Sequence, residues 1–110
     1  MKDTKLERLY RSVGLEFFVD NIEKCLNKFN ELKSTKIKES FINELFITEK
    51  RDSDINGTRI RVNCMIKIIE ANKYKDVLKV IELSKRLSYE YRKKATEMIN
   101  KIENGKINHF

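Results

Sequence analysis

The sequence predicts an all-α protein of about five helices in one domain, residues 1–110. A long N-terminal helix is followed by a helix-turn-helix-like unit and two further helices. Three observations predict it. The 110 residues contain no proline and only three glycines, too little turn chemistry for a fold of many strands. Lys, Glu, Leu and Ile are plentiful, and all but Ile are strong helix formers. Apolar residues recur at steps of three and four through most of the chain. A chain of this length buries a single modest core, roughly two-thirds of its unfolded surface.

The first helix is predicted over Lys5 to Lys33, in one piece or two, with Asp3 or Thr4 as N-cap. Its apolar positions are Leu6, Leu9, Tyr10, Val13, Phe17, Phe18, Ile22, Cys25, Leu26, Phe29 and Leu32, one face of a helix. Gly14 interrupts it and marks a bend or a close approach. The aromatic density of this helix makes it a candidate homodimer face, centred on Leu9, Tyr10, Val13, Phe17 and Phe18. Isologous dimers need a self-complementary patch of this kind.

Ser34 and Thr35 are N-cap residues for a second helix, with apolar positions Ile37, Phe41, Ile42, Leu45 and Phe46, ending near Thr48. A charged connection follows, Glu49-Lys50-Arg51-Asp52.

Residues 53–70 admit two readings. As a strand, Ile60, Val62, Cys64, Ile66 and Ile68 alternate with Arg59, Arg61, Asn63, Met65 and Lys67, after the turn dipeptide Asn56-Gly57. As a helix, Ile55, Thr58, Val62, Met65, Ile66 and Ile69 share a face, and Ser53 or Asp54 caps it. The helix is favoured. The chain offers no second strand of similar length, and the segment runs into Glu70-Ala71-Asn72-Lys73, which reads as a helix end. Arg59, Asn63 and Lys67 then line the outer face, with Arg61 and Glu70 beside it.

Tyr74 to Leu83 is a short amphipathic helix. Ser88 caps the last helix, whose core face is Tyr91, Ala95, Met98, Ile99 and Ile102. Asn104-Gly105 ends it, and residues 106–110 read as a loose tail.

Charge narrows the function. The net charge is +7. Residues 1–52 hold 11 basic and 10 acidic side chains (+1), and residues 53–110 hold 13 and 7 (+6). A basic half points to a polyanionic partner. Two cysteines and one histidine are too few for a usual structural zinc site, and no cofactor motif is present. Cys25 and Cys64 lie in apolar patterns and read as reduced core residues. With a charged N-terminus and no apolar run near 20 residues, the expectation is a cytoplasmic protein with no membrane partner. The single histidine, His109, sits in the tail, so a catalytic pair has little to stand on. The expectation is a non-catalytic protein.

The expected partner is DNA. A short helix, a turn and a second helix carrying Arg59, Arg61, Asn63 and Lys67 match the layout of a helix-turn-helix unit, in which Arg and Asn suit guanine and adenine edges. The turn is longer than the usual 3–4 residues. Phosphate contacts are expected from Lys50, Arg51, Lys73, Lys75, Lys85, Arg86, Arg92, Lys93 and Lys94. The alternative is a protein-interaction module, such as a mobile-element-encoded inhibitor of a host nuclease or effector.

One resemblance adds to this. Asn56-Gly57-Thr58-Arg59-Ile60-Arg61-Val62-Asn63, then Lys75-Asp76-Val77-Leu78-Lys79-Val80-Ile81, then Ser84-Lys85-Arg86-Leu87-Ser88 resembles a helical segment that accompanies some HNH-type restriction endonucleases as their N-terminal part. It covers about the middle third. The resemblance implies association with DNA or with DNA-defence systems. It does not imply nuclease activity, because no histidine-rich catalytic motif stands in this sequence.

Overall fold

The computed structural model describes residues 3–105, whose regular elements are all helices, with no strand among them. The first predicted helix is three pieces. α1 spans Thr4–Val13 and is capped by Asp3, whose Oδ1 accepts from the Leu6 N–H at 3.0 Å. α2 spans Leu15–Asn27, and a short 3-10 turn covers Glu31–Lys33. Gly14 separates α1 from α2. Its φ of +85° lies in a region that L side chains enter only at a cost. Its N–H closes α1 on the Tyr10 carbonyl, and its carbonyl accepts from Phe18 N–H in α2, each at 2.9 Å. One residue thus ends one helix and begins the next.

α3 spans Thr35–Glu49 with Ser34 as its cap, and Lys50 ends it in a left-handed conformation (φ 54°). α4 spans Ile55–Glu70, and the Asp54 carboxylate accepts from Asn56 N–H at 2.7 Å. The helix reading of residues 59–68 therefore holds and the strand reading does not. In the helix the alternating set comes apart: Val62 and Ile68 are fully buried, while Ile60 is 55% exposed. α4 closes as expected near Asn72. That residue is left-handed (φ 58°), its N–H donates to the Ile69 carbonyl, and Lys73 N–H donates to the Ile68 carbonyl. This pair of bonds is a Schellman closure.

α5 spans Tyr74–Glu82 and α6 spans Tyr89–Glu103, capped by Ser88. The described residues thus form six α-helices, one more than about five, because Gly14 divides the first.

α4 is the central element. It packs against α1, α3 and α2, while α5 and α6 pair with each other and dock on α2. The aromatic face of the N-terminal segment is consumed in this core. Val13, Phe17 and Phe18 are 0%, 1% and 0% exposed, and Leu9 and Tyr10 are half-buried against them. The expected dimer patch is corrected accordingly: Val13, Phe17 and Phe18 are interior residues of one chain, because α2 lies between α4 and the α5–α6 pair. Of the apolar positions of α3, Phe41, Ile42 and Leu45 are buried and Ile37 is 40% exposed. Cys25 is buried, with Sγ 4.0 Å from Met65 Sδ, and burial pushes its thiol up to about 12. Cys64 is half-buried, and both cysteines are free.

Candidate nucleic-acid interface

The basic residues of α4 divide into two groups along the helix. In its first two turns the arginines are tied to neighbouring elements. Arg59 donates from Nη2 and Nε to the Glu39 carboxylate on α3, at 2.6 and 3.2 Å, and from Nη1 to Asn56 Oδ1. This fork holds the Glu39 carboxyl below its ordinary range, the hydrogen bond from Arg59 being the main cause.

Arg61 is held more firmly. Nε and Nη2 reach both oxygens of Asp52 at 3.0 and 3.1 Å, and Nη1 donates to the Val13 carbonyl at 2.6 Å. The guanidinium lies 5.5 Å from the Phe17 ring centroid, a cation–π distance. Asp52 also accepts from Thr58 Oγ1 at 2.9 Å. Its carboxyl is held low, chiefly by the Arg61 hydrogen bonds.

Two glycines make room for this pair. A Cβ at Gly14 would stand 2.7 Å from Arg61 Nη1, and a Cβ at Gly57 would stand 2.9 Å from Asp52 Cγ. Arg61 is therefore not beside the outer face, as the helix reading had it. It is turned inward, with a side chain only 23% exposed, and it links α4 to the end of α1 and to the α3–α4 connection.

The second half of α4 is different. Asn63 accepts from Lys38 Nζ at 3.0 Å, and Lys67 is exposed. Both line a cavity of about 510 Å³ together with Phe29, Leu32, Lys33, Lys38, Ile66 and Glu70. Among the described residues, none of Lys33, Lys38 and Lys67 has a carboxylate partner. Lys33 sits 5.7 Å from the Phe29 ring centroid. The N-terminus of α3 adds to this field, since its first turn contains no acidic residue and the helix dipole is positive there. Glu70 is the one acidic residue of the lining.

Of the other predicted contacts, Lys73 shares a second cavity with Lys67 and Glu70. Lys85 and Arg86 are exposed on the connection between α5 and α6, and Lys93 is exposed on α6. Arg86 lines a separate cavity of about 330 Å³ with Arg51 and Arg61. Arg92 is half-buried, with an Nε that has no hydrogen-bond partner among the described residues. Lys94 is paired with Asp20 at 3.0 Å, and that carboxylate raises its pKa. Arg51 is tied to Glu16, Asp20 and Glu49. Lys50 and Lys75 carry no such bond among the described residues, and Lys73 faces Asp76 at 3.9 Å.

The structure thus brings together Asn63 and Lys67, with Lys33 and Lys38 added, and separates them from the cations of α5 and α6. Lys33 and Lys38 were missed because they stand 25 residues or more before Asn63. The signal that could have found them is the acid-free start of α3, where Lys33, Lys36 and Lys38 flank the Ser34 cap.

Among the described residues no group of three or more His, Cys, Asp or Glu side chains could hold a metal ion. His109 lies outside the described residues. No described helix is long and apolar enough to cross a membrane. No family model matches the chain, and neither does any curated protein or solved structure.

Proposed function

We propose that the chain is a non-catalytic DNA-binding protein that holds backbone phosphates on the groove formed by Lys33, Lys38, Asn63 and Lys67. One observation carries this reading: three lysines without carboxylate partners surround a single cavity. An unpaired ammonium needs no internal ion pair broken before it meets a phosphate, whereas Arg59 and Arg61 would have to leave Glu39 and Asp52. The reading therefore places phosphate contact at the C-terminal half of α4, in place of base readout by its N-terminal half. The resemblance of residues 56–63, 75–81 and 84–88 to segments accompanying HNH-type endonucleases points to the same class of partner, in regulation or in a phage or defence setting. Lys85, Arg86 and Lys93 supply further phosphate contacts on this reading.

The test is a titration of duplex DNA at several salt concentrations. Each phosphate contact contributes about 0.9 to the slope of log K against log salt. Replacing Lys33, Lys38 and Lys67 together by Ala is expected to lower that slope by about 2–3 and to weaken binding at low salt. A wild-type slope near zero, or a triple variant that binds as wild type does, rejects the reading.

A second reading, the helical protein-interaction module, is favoured by a different observation. Leu83 and Tyr89 are 78% and 68% exposed at the two ends of the α5–α6 connection, where Lys85 and Arg86 also stand. Apolar side chains so placed fit the anchor of a protein contact with a charged rim. A chain with this role binds DNA weakly and forms a stable complex with one protein, and Leu83→Ser with Tyr89→Ser weakens that complex.

A further inference from the structure

The lysine groove is concave, and a duplex is convex. Backbone phosphates alone would be met by cations on a ridge or a flat face, and a cavity of about 510 Å³ is not needed for that. It falls in the size range of small-molecule sites, about 300–1,000 Å³. Its lining is of three kinds: the cations Lys33, Lys38 and Lys67, the apolar side chains of Phe29, Leu32 and Ile66, and the amide of Asn63 with the carboxylate of Glu70.

Glu70 is the informative member. A carboxylate repels phosphate, so a groove serving phosphates alone gains nothing from it. An acidic side chain in a nucleic-acid site accepts a hydrogen bond from an exocyclic amino group, as from cytosine N4. Asn63, which also lines the groove, has its Oδ1 engaged by Lys38, which leaves its NH₂ group as a donor for a ring nitrogen or carbonyl. Apolar side chains, one acceptor, one donor and three cations around one cavity together match the parts of a nucleotide, a base and its phosphates. In a duplex the Watson–Crick edge is occupied and the base is stacked. In a single strand both are open.

Resting on the nucleic-acid reading above, we infer that the groove accepts an unpaired, amino-bearing base of single-stranded DNA, with Glu70 accepting from its amino group and Lys33, Lys38 and Lys67 on the flanking phosphates. The protein then prefers single strands to duplex and cytosine to thymine.

Fluorescence anisotropy of the full chain tests this with three labelled probes of equal length: oligo(dC), oligo(dT) and a dC/dG duplex, at neutral pH and one salt concentration. The expected result is oligo(dC) binding about tenfold tighter than the other two. Glu70→Ala, at an exposed position near the end of α4, is expected to remove the preference for oligo(dC) over oligo(dT), with its far-UV circular dichroism unchanged. Equal binding of all three probes with a retained salt dependence overturns the inference and leaves phosphate binding standing. Tighter binding of every probe by Glu70→Ala, with the ratio unaltered, overturns it too, as does a cytosine preference that survives the substitution. If no probe binds, the inference and the DNA-binding reading fall together.

Discussion

The two halves of α4 carry similar residues and do opposite things with them. Near its N-terminus Arg59 and Arg61 are matched by Glu39 and Asp52. Near its C-terminus Lys67, with Lys33 and Lys38 across the groove, has no carboxylate partner among the described residues. The difference teaches that a basic residue on a helix is not yet a binding residue. What matters is whether the fold has already supplied its counter-charge. An arginine offers five donors in a rigid fork. That suits it to join a carboxylate and a helix-end carbonyl at once, as Arg61 does. A lysine is a flexible, strongly hydrated point charge, better suited to transient phosphate contact.

This contrast breaks most visibly at Arg61. Arg61→Ala removes a forked ion pair and the bond to the Val13 carbonyl, leaves Asp52 partly buried without its cation, and opens the space against Gly14. The expected loss is about 2–3 kcal/mol, a fall in thermal midpoint on the order of 10 °C for a domain this size. Thermal unfolding followed by circular dichroism measures it. A midpoint within a degree or two of wild type would mean that the pair is not structural, and the contrast between the halves would collapse.

A smaller effect follows from pH. The folded-state pKa of Asp52 is depressed. Its stabilising contribution is therefore present above its unfolded value, about 3.9. It is lost as pH falls through the lower folded value. Asp52→Asn is expected to be less stable than wild type at pH 7, and the gap should narrow from about pH 4 downward. Unfolding midpoints for the two proteins across that range give the comparison. A gap that stays constant with pH removes the charge from the explanation.

The smallest effect is expected at Arg59. Its pair with Glu39 is at the surface and screened by solvent. Arg59→Ala is expected to give the least change in midpoint of the series and to leave DNA affinity close to wild type, in contrast to the lysine triple variant. A loss of affinity as large as that of the triple variant would return the N-terminal half of α4 to the interface.

Much of the fold was legible because its signals are local. Asp3, Ser34, Asp54 and Ser88 each accept from a backbone N–H two or three residues ahead, and capping chemistry of that kind is written in adjacent residues. The helix assignment of residues 55–70 was legible by elimination, since a strand without a partner cannot satisfy its backbone. Gly14 was legible as an interruption that left one piece or two open. The full break depended on its positive φ and on Arg61 filling the place of its side chain. The site was less legible. Arg59, Asn63 and Lys67 were picked out for lying on the outer face of α4, and Arg61 for standing beside it, although periodicity cannot tell which polar flank of a helix meets a neighbour.

By itself the sequence determined an all-helical chain, its capped starts, the apolar stripes that close the core and a basic second half. These follow from steric preferences and hydrogen bonds spanning a few residues. The tertiary structure decided which charges are free. Asp52 and the Val13 carbonyl lie 9 and 48 residues from Arg61, and Lys38 lies 25 residues from Asn63. Ion pairing depends on distance in space, and only the packing of α1 and α3 on the two flanks of α4 brought those groups together.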